Sequence, residues 1–449
     1  MVSYIGNGNL SQIILIPIVV IATSLYFFPF EFSFAIGINT KLAMAVFGGI
    51  LLCFQLAKKG CVNIEKNLLK VFFWAFIVSL CGFVSVLYNS TTDFTYATYI
   101  MSMFVWLSAA NVVVSLIRSI HGYVSVLLVC RYLVAVCCLQ CVSALLIDNF
   151  ESFRIFVNTY LANFSSSVST GLSLHDAGRL YGIGAALDIA GSRFSVVLVM
   201  IAYCISLHRI KRIQLLIFVL SFFFIFIIGS SISRTTLIGM ILAIFCWIVL
   251  SFKSVRRRLD INDYDDLYIK YLFSILVLLI PVVVYLYNVS ASFQDSFRFA
   301  FEGFFNWVET GSWRTNSTDT LKEMYLFPEN IKTWVIGDGY FADPTKTDPY
   351  YIGISLSAFY KGVDVGYLRF IYYFGIIGLV VFILYFVKVT KSCFYRFPSY
   401  KLMFFLVLVV NLIVWFKVAT DVFLAFAPFL CICQEDEKAY WVSRNTKCT

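Results

Sequence analysis

Long apolar runs separated by short polar connections dominate the chain. Most runs are about 18–22 residues long, which matches a helix that crosses the hydrocarbon core of a bilayer. A transmembrane β-barrel would show short segments of alternating polarity instead. The pattern therefore predicts an all-α, polytopic transmembrane helical bundle of about twelve spans. The predicted spans are residues 11–30, 34–56, 70–88, 99–117, 123–147, 191–207, 213–230, 235–252, 271–289, 366–387, 402–417 and 419–433.

The composition agrees with a membrane protein. Of the 449 residues, 61% are hydrophobic and 13% are charged, whereas a soluble protein carries about 25% charged residues. The formal net charge of +9 does not indicate nucleic-acid binding, because Lys and Arg collect in a few short connections, as membrane topology requires. We expect the lipid bilayer, and no nucleic acid, among the partners of the chain.

Five basic connections determine the predicted orientation. With twelve spans they all fall on one side, together with both termini, and the short connections on the other side carry almost no positive charge. The positive-inside rule then places the basic connections and the termini in the cytoplasm. These connections are residues 58–66, 118–122, 208–212, 253–258 and 388–396.

Two long polar loops are predicted on the opposite, outer side. The first, 148–190, joins spans five and six, and the second, 290–365, joins spans nine and ten and is long enough to contain short helices. The chain thus divides into a nine-span N-terminal part (1–289), the large outer loop (290–365) and the C-terminal spans with a cytoplasmic tail (366–449).

An arginine lies in the short turn between spans seven and eight, which also faces outward. Arg234 is flanked by hydroxyl side chains in the stretch SSISRTT (230–236). A charge at the end of a span often reaches back to the lipid–water interface, which is the simpler interpretation. Hydroxyls and helix ends beside a guanidinium also form a site for anionic oxygens, and we favour this second interpretation.

Further arginines and carboxylates are predicted on the same outer side. Arginine is a fixed cation whose planar fork suits phosphate, so several arginines at a lipid boundary indicate recognition of a phospho- or diphospho-lipid headgroup. A carboxylate nearby is a candidate general base. Besides Arg234, the candidate residues are Arg179, Arg193, Arg314, Arg369, Asp176, Asp188, Asp338, Asp364 and His175.

The second long loop begins with an amphipathic stretch, residues 292–311. Phe293, Phe297, Phe301 and Phe305 recur at helical spacing, which predicts a helix with one apolar face. This helix either lies in the outer interface or packs against the spans. In both cases it would frame the opening through which a lipid-linked substrate enters.

Two shorter features follow in the same loop. Residues 312–327 predict a short helix, capped by Thr318 or Asp319 and preceded by Arg314. Residues 334–341 (WVIGDGYF) predict a short strand-like piece followed by a tight turn at Asp338.

No motif for a metal or an organic cofactor stands out. We find no zinc-protease, phosphate-loop, dinucleotide or Ser-His-Asp pattern. None of the 13 cysteines lies in the two long loops, and those of the stretch 137–141 fit the packing of an apolar helix. We therefore expect no cofactor, no metal and no disulfide stapling. Outside the cytoplasm there is no ATP, so an activated donor would bring its own leaving group.

The second half of the chain, about residues 175–390, resembles the bacterial O-antigen polymerases (Wzy-type), which are related to the O-antigen ligases. The resemblance rests on short motifs at span ends and in the late outer loop. These motifs are RLYGI (179–183), SRT (233–235), WRTNSTDTLKEM (313–324), VIGDGYF (335–341) and DVGYLRFIYYFGIIG (364–378).

The resemblance implies a multi-pass glycosyltransferase of the bacterial inner membrane that acts at the periplasmic face. A sugar hydroxyl of one lipid-linked repeat unit would attack the anomeric carbon of a growing glycan on undecaprenyl diphosphate, and undecaprenyl diphosphate would leave. Arg234 and Arg314 would bind the diphosphate or stabilise its developing charge. Arg179 would bind the glycan or the second lipid phosphate. A separate chain-length regulator protein is a further implied partner.

Two other functions fit parts of the pattern. An O-antigen ligase would transfer the glycan to lipid A-core, but ligases of this superfamily typically carry a histidine where the late loop enters the next span, and Asp364 stands there. A lipid-linked oligosaccharide flippase would show polar residues inside its spans. The main charge inside a span is Arg131, which we expect either to reach the cytoplasmic interface or to meet a polar neighbour. The polymerase is therefore the function we expect.

Overall fold

The fold is an all-α bundle over the part of the chain that the structure describes. Its β contacts there are two isolated bridges, Glu31 with Asn39 and Ala342 with Phe359. The predicted all-α class is therefore confirmed for these residues. The computed structural model describes residues 10–34, 37–59, 65–161, 174, 179–206, 211–252, 267–348, 351 and 359–432.

The first part of the bundle runs to residue 289. Its described helices are α1 (Leu10–Phe27), α2 (Thr40–Lys59), α3 (Lys66–Asn89), α4 (Tyr99–His121), α5 (Val126–Asn149), α6 (Glu151–Tyr160), α7 (Leu187–Ile205), α8 (Arg212–Ile232), α9 (Thr236–Ser251) and α10 (Leu267–Val289).

The remaining helices form the late loop and the C-terminal part. They are α11 (Ala291–Ala300), α12 (Glu302–Thr310), α13 (Asn316–Glu323), α14 (Ile331–Val335), α15 (Pro344–Thr347), α16 (Gly366–Arg396), α17 (Lys401–Val414) and α18 (Phe423–Cys431). Two short 3₁₀ turns, Tyr360–Gly362 and Pro398–Tyr400, precede α16 and α17.

Seven of the described helices are long and apolar enough to cross a membrane, namely α3, α4, α5, α7, α8, α10 and α16. Shorter apolar helices lie at Leu15–Phe27, Thr40–Gln55, Thr236–Ser251 and Pro398–Val414. The last predicted span corresponds to α18, which has 9 residues. These helices support a membrane protein.

Helix α7 begins earlier than the sequence predicts. The predicted span starts at residue 191, but the helix starts at Leu187. Arg193 therefore lies in the second turn and is buried, with 7% of its surface exposed. Arg193, which the sequence predicts near the end of a span, is therefore inside the bundle.

The loops predicted on one side contact each other. At one end, the Ser33 amide donates to the Tyr160 carbonyl. At the other end, Arg131 donates to Gln214 at 2.7 Å, and Arg396 pairs with Glu65 at 2.8 Å. Arg131 thus meets a polar neighbour, as one of the two expectations stated. Among the described residues, two of the basic connections therefore meet at this second end, through Glu65 and Arg396.

Small residues let α7 and α9 approach closely. A side chain at Gly239 would bring its Cβ within 2.4 Å of the Cα of Ser195, and the Ser195 hydroxyl donates to the Thr235 carbonyl at 2.8 Å. Close contact between helix backbones is a common use of small residues in membrane helix packing. It holds the turn that carries Arg234 against the first turns of α7.

The late loop docks on a break in α16. The backbone departs from helical geometry at Phe374 and Gly375, and the amide of Asp338 donates to the Tyr372 carbonyl at 2.6 Å. Gly337 has a positive φ of 87°, and a Cβ there would lie 2.4 Å from the Tyr373 carbonyl oxygen. The predicted tight turn at Asp338 is present, but the predicted strand-like piece before it is the short helix α14.

The amphipathic stretch of the late loop is divided between α11 and α12, which meet at Phe301. The next helix, α13, is capped by Thr315, whose hydroxyl accepts from the Thr318 amide. The sequence had indicated Thr318 or Asp319 as the cap. The shift is small, because a Thr three residues earlier offers the same side-chain acceptor.

Candidate functional site

A small polar cleft brings together four separate segments of the chain. They are the turn between α8 and α9, the stretch that leads from Arg179 into α7, the late loop with α11 and α13, and the connection between α17 and α18. Its lining residues are Arg179, Leu187, Asp188, Ile232, Ser233, Arg234, Phe299, Ser317 and Lys417.

Arg234 is held by three contacts in this cleft. Its Nε donates to the Phe299 carbonyl at 2.8 Å, its guanidinium carbon lies 4.1 Å from the centre of the Phe299 ring, and an Nη atom pairs with the Glu302 carboxylate. Burial lowers the pKa of Arg234, and the Glu302 carboxylate opposes that shift. The other Nη atom, Nη1, is buried without a hydrogen-bond partner among the described residues.

Arg179 lies against the same ring. Its guanidinium carbon is 4.7 Å from the Phe299 ring centre, and the two arginines repel each other electrostatically. Like charges held close in a partly dry cleft are unfavourable unless an anion joins them. The arrangement is therefore suited to an anionic group.

A third cation, Lys417, was not among the predicted site residues. Its Nζ lies 2.8 Å from the Asp188 carboxylate. The same carboxylate accepts hydrogen bonds from Ser233 at 2.8 Å and from Thr235 at 2.5 Å. The two hydroxyls that directly flank Arg234, those of Ser233 and Thr235, therefore bind Asp188 rather than standing open to a ligand. A single lysine at the end of an apolar run is the sequence feature that could have indicated Lys417.

Asp364 and Arg369 lie beside this cleft. Arg369 is buried against two aromatic rings, 3.8 Å from that of Phe341 and 4.3 Å from that of Phe359. It donates to the Phe341 carbonyl at 3.0 Å and more weakly to Asp364 at 3.4 Å. These contacts indicate that Arg369 fixes the late loop on α16.

Burial raises the pKa of the Asp364 carboxyl to about 6, although Arg369 opposes the shift. Asp188 adds to the increase and Lys417 reduces it, so Asp364 is within electrostatic range of the cleft. A carboxyl whose pKa lies near neutral pH is suited to act as a general base.

The other predicted residues lie elsewhere. Arg314 is exposed in the turn before α13, where its carbonyl accepts a hydrogen bond from Asn306 at 2.7 Å. Asp338 accepts from Lys332 at 2.9 Å and from Thr333 at 2.6 Å, which indicates a structural role in the docked turn. Neither residue lines the cleft. His175 and Asp176 lie outside the described residues.

An apolar groove lies on the other side of α11. Phe297 and Phe301 line this groove, whereas Phe299 lines the charged cleft. The lining comes from α8, α9, α10 and the late-loop helices α11 and α12. Its residues are Phe223, Phe226, Ile227, Met240, Leu276, Leu279, Ile280, Val283, Val284, Tyr287, Phe297, Phe301 and Phe305. The amphipathic stretch thus packs over the spans, which is one of the two predicted arrangements.

In the described ranges, no group of three or more His, Cys, Asp or Glu side chains is placed to hold a metal ion. The charged cleft instead offers three cations and two carboxylates. Three cations against two carboxylates leave a net positive charge, which favours anionic oxygens.

Comparisons with protein-family models, with curated proteins and with solved structures found no match to this chain. The resemblance to O-antigen polymerases therefore stays a prediction from the motifs.

Proposed function

We propose that the protein is a membrane glycosyltransferase that polymerises lipid-linked O-antigen repeat units. The observation that carries this proposal is the position of one helix, α11. Phe299 of this helix lies under two arginines in a charged cleft, and its neighbours Phe297 and Phe301 line an apolar groove. A ligand with a diphosphate head and a long hydrocarbon tail would place its head in the charged cleft and its tail in the apolar groove.

In this proposal the donor lipid lies across α11. Arg234 and Arg179 bind the diphosphate, because paired guanidiniums match phosphate oxygens in geometry and charge. The unpartnered Nη1 of Arg234 is a donor that the diphosphate would satisfy. The polyprenyl chain occupies the apolar groove, whose lining has no polar side chain except the Tyr287 phenol.

The proposed reaction is a substitution at the anomeric carbon of the donor glycan. Asp364 takes the proton of the acceptor sugar hydroxyl, whose oxygen forms the new glycosidic bond. The bond between the anomeric carbon and the diphosphate oxygen breaks, and its electron pair leaves with undecaprenyl diphosphate. Arg234 and Arg179 stabilise the charge on that leaving group, which is the main electrostatic contribution expected at such a site.

The proposal includes about twelve spans in the bacterial inner membrane, with the cleft at the periplasmic face and both termini in the cytoplasm. A contact between two of the basic connections supports this sidedness, since Arg396 of one pairs with Glu65 of another. Product length would be set together with a separate regulator protein, as the motif resemblance implies.

Gene deletion in a strain with a modal O-antigen ladder tests this function. We expect loss of the long chains while lipopolysaccharide capped with a single unit remains, and restoration by the wild-type gene but not by Arg234→Ala. Loss of all attached O-antigen would indicate the ligase instead. Accumulation of lipid-linked units on the cytoplasmic side would indicate the flippase.

A further inference from the structure

A second ionic cluster lies at the same end of the bundle as the cleft. It consists of Arg193 on α7, Lys41 at the start of α2 and Asp421 just before α18. The Phe30 amide donates to the Thr40 hydroxyl at 3.2 Å, and Phe28, two residues earlier, contacts Arg193 through its ring, so the segment between α1 and α2 holds Lys41 near Arg193. Asp421 lies within electrostatic range of both cations. The three charges therefore share one region of the molecule.

This cluster is separate from the first. Asp188 and Arg193 are five residues apart on α7, which places their side chains about 140° apart around the helix and about 7.5 Å apart along it. The connection between α17 and α18 reaches both clusters, because it carries Lys417 to Asp188 and ends at Asp421. Helix α7 and the connection between α17 and α18 thus each contribute residues to both clusters.

The cations of this second cluster are not neutralised by direct contact. Among the described residues, no carboxylate lies in ion-pair contact with Arg193 or Lys41. Arg193 is 7% exposed, and its Nε is buried without a hydrogen-bond partner. Each cation lies instead near an aromatic ring, Arg193 at 5.5 Å from Phe28 and Lys41 at 4.5 Å from Trp106.

A buried cation without a paired counter-ion is costly, because the lost hydration is not replaced. Asp421 only partly compensates for the two cations, since its Oδ1 also accepts from the amide of Phe423, the first residue of α18, at 3.1 Å. One carboxylate for two cations leaves a net positive charge. The cluster therefore favours an additional anion.

We propose that Arg193 and Lys41 form a second anion-binding site, which takes a phosphate-class group. A planar guanidinium fork and a compact ammonium within electrostatic range of each other are a suitable pair of donors for phosphate oxygens. The further assignment of this group to the lipid diphosphate of the acceptor rests on the proposed function, because transfer between two lipid-linked molecules brings two diphosphates to one end of the protein.

The test is a calorimetric titration of the full-length protein in detergent with inorganic pyrophosphate. We expect two bound pyrophosphates per chain for the wild type, one for Arg234→Gln and one for Lys41→Gln. Arg193→Gln should also bind one, and Lys41→Gln serves as the milder variant should Arg193→Gln not fold. Arg298→Gln, in the exposed pair with Glu309, is the matched control and should bind two.

Asp421→Asn should strengthen pyrophosphate binding at the second site, whereas Lys41→Gln and Arg193→Gln should remove it. Asparagine keeps the oxygen that accepts from the Phe423 amide but removes the competing charge, so pyrophosphate affinity at the second site should rise about tenfold. One pyrophosphate per wild-type chain, or no change in stoichiometry in Lys41→Gln, would overturn the second site.

A competition titration then identifies the molecule that carries the bound anion. A short-chain polyprenyl diphosphate should compete with pyrophosphate at the second site and bind it more tightly in the wild type than in Lys41→Gln. Binding of free pyrophosphate without such competition would overturn the assignment to a lipid. These titrations do not depend on activity: two bound pyrophosphates in a protein without polymerase activity would refute the proposed function and leave the second site standing.

Discussion

Arg234 contacts Phe299 in two ways at once. Its Nε donates to the backbone carbonyl at 2.8 Å, and its guanidinium carbon lies 4.1 Å from the ring centre of the same residue. The turn between α8 and α9 is thereby joined to the late-loop helix α11, more than sixty residues further along the chain. The arginine therefore links the membrane bundle to the loop that separates the charged cleft from the apolar groove.

Replacing Arg234 by lysine should remove activity without unfolding the protein. Lysine keeps the charge but loses the planar fork that contacts Phe299 and Glu302 together. We expect chain extension to fall by about 10²–10³-fold, the usual cost of removing one transition-state donor. The measurement is the rate of extension of lipid-linked units by purified protein.

Arg298→Lys is the control for this substitution. Arg298 lies on α11 beside Arg234's partner Phe299, but its pair with Glu309 is exposed, and exposed pairs contribute about 0–1 kcal/mol. Its rate should stay within about twofold of wild type. Full activity of Arg234→Lys would contradict the proposed role of Arg234.

Replacing Glu302 by glutamine should tighten diphosphate binding. Glu302 is the counter-ion of Arg234, so an incoming diphosphate competes with it. The Asn316 amide donates to the Glu302 carboxylate at 3.1 Å, and the glutamine side chain retains an oxygen that accepts this hydrogen bond. We expect pyrophosphate affinity at the cleft to rise by roughly tenfold. Weaker binding in Glu302→Gln would show instead that the carboxylate orients Arg234 for the ligand.

The reaction rate should depend on the ionisation of Asp364. Burial raises the pKa of this carboxyl to about 6, and the carboxylate is the form that accepts a proton. Activity should therefore rise with pH, with a midpoint near this value, and fall as the pH drops below it. Steady-state rates across the pH range give the profile.

Asp364→Asn should lack this rising limb and lose most activity at every pH, because an amide does not act as a base. Asp364→Glu should keep a rising limb with a displaced midpoint. A wild-type rate that is flat between about pH 5 and pH 7 would assign the base to another group.

Gly337→Ala should loosen the docked late loop. The new Cβ would lie 2.4 Å from the Tyr373 carbonyl oxygen, so either the loop or α16 has to move. Gly311→Ala is the matched control, because Gly311 also has a positive φ, 73°, but open space around it. We expect Gly337→Ala to lower the free energy of unfolding by about 2 kcal/mol more than Gly311→Ala does. Thermal unfolding of both variants in the same detergent measures the difference, and equal effects would mean that backbone strain alone matters.

The positions of the apolar helices were predictable from the sequence. Continuous apolar runs fix them because an apolar helix has to be buried in lipid or in protein along its whole length. Helix ends were less certain, since polar residues near an end, such as Asp188 and Arg193, fit either a loop or a first turn. The structure placed both in α7.

The candidate site was predictable only in part. Arg179, Arg234 and the outer-loop phenylalanines followed from charge and periodicity. Lys417 was missed, because a lone lysine at the end of an apolar run is ordinarily an interfacial anchor. The partners of each residue were also not predictable. Asp338 accepts hydrogen bonds from Lys332 and Thr333 in a docked turn, and the surrounding sequence does not distinguish this structural role from a catalytic one.

By itself, the sequence determined which segments are apolar helices and which residue types lie between them, because burial of backbone and side chains depends on local composition and periodicity. Only the tertiary structure decided which charges share a cleft. Arg179, Arg234 and Lys417 come from three distant connections, and their proximity results from close helix crossings such as that of Ser195 and Gly239. Such crossings depend on side-chain volumes on two helices at once, which no single stretch of sequence specifies.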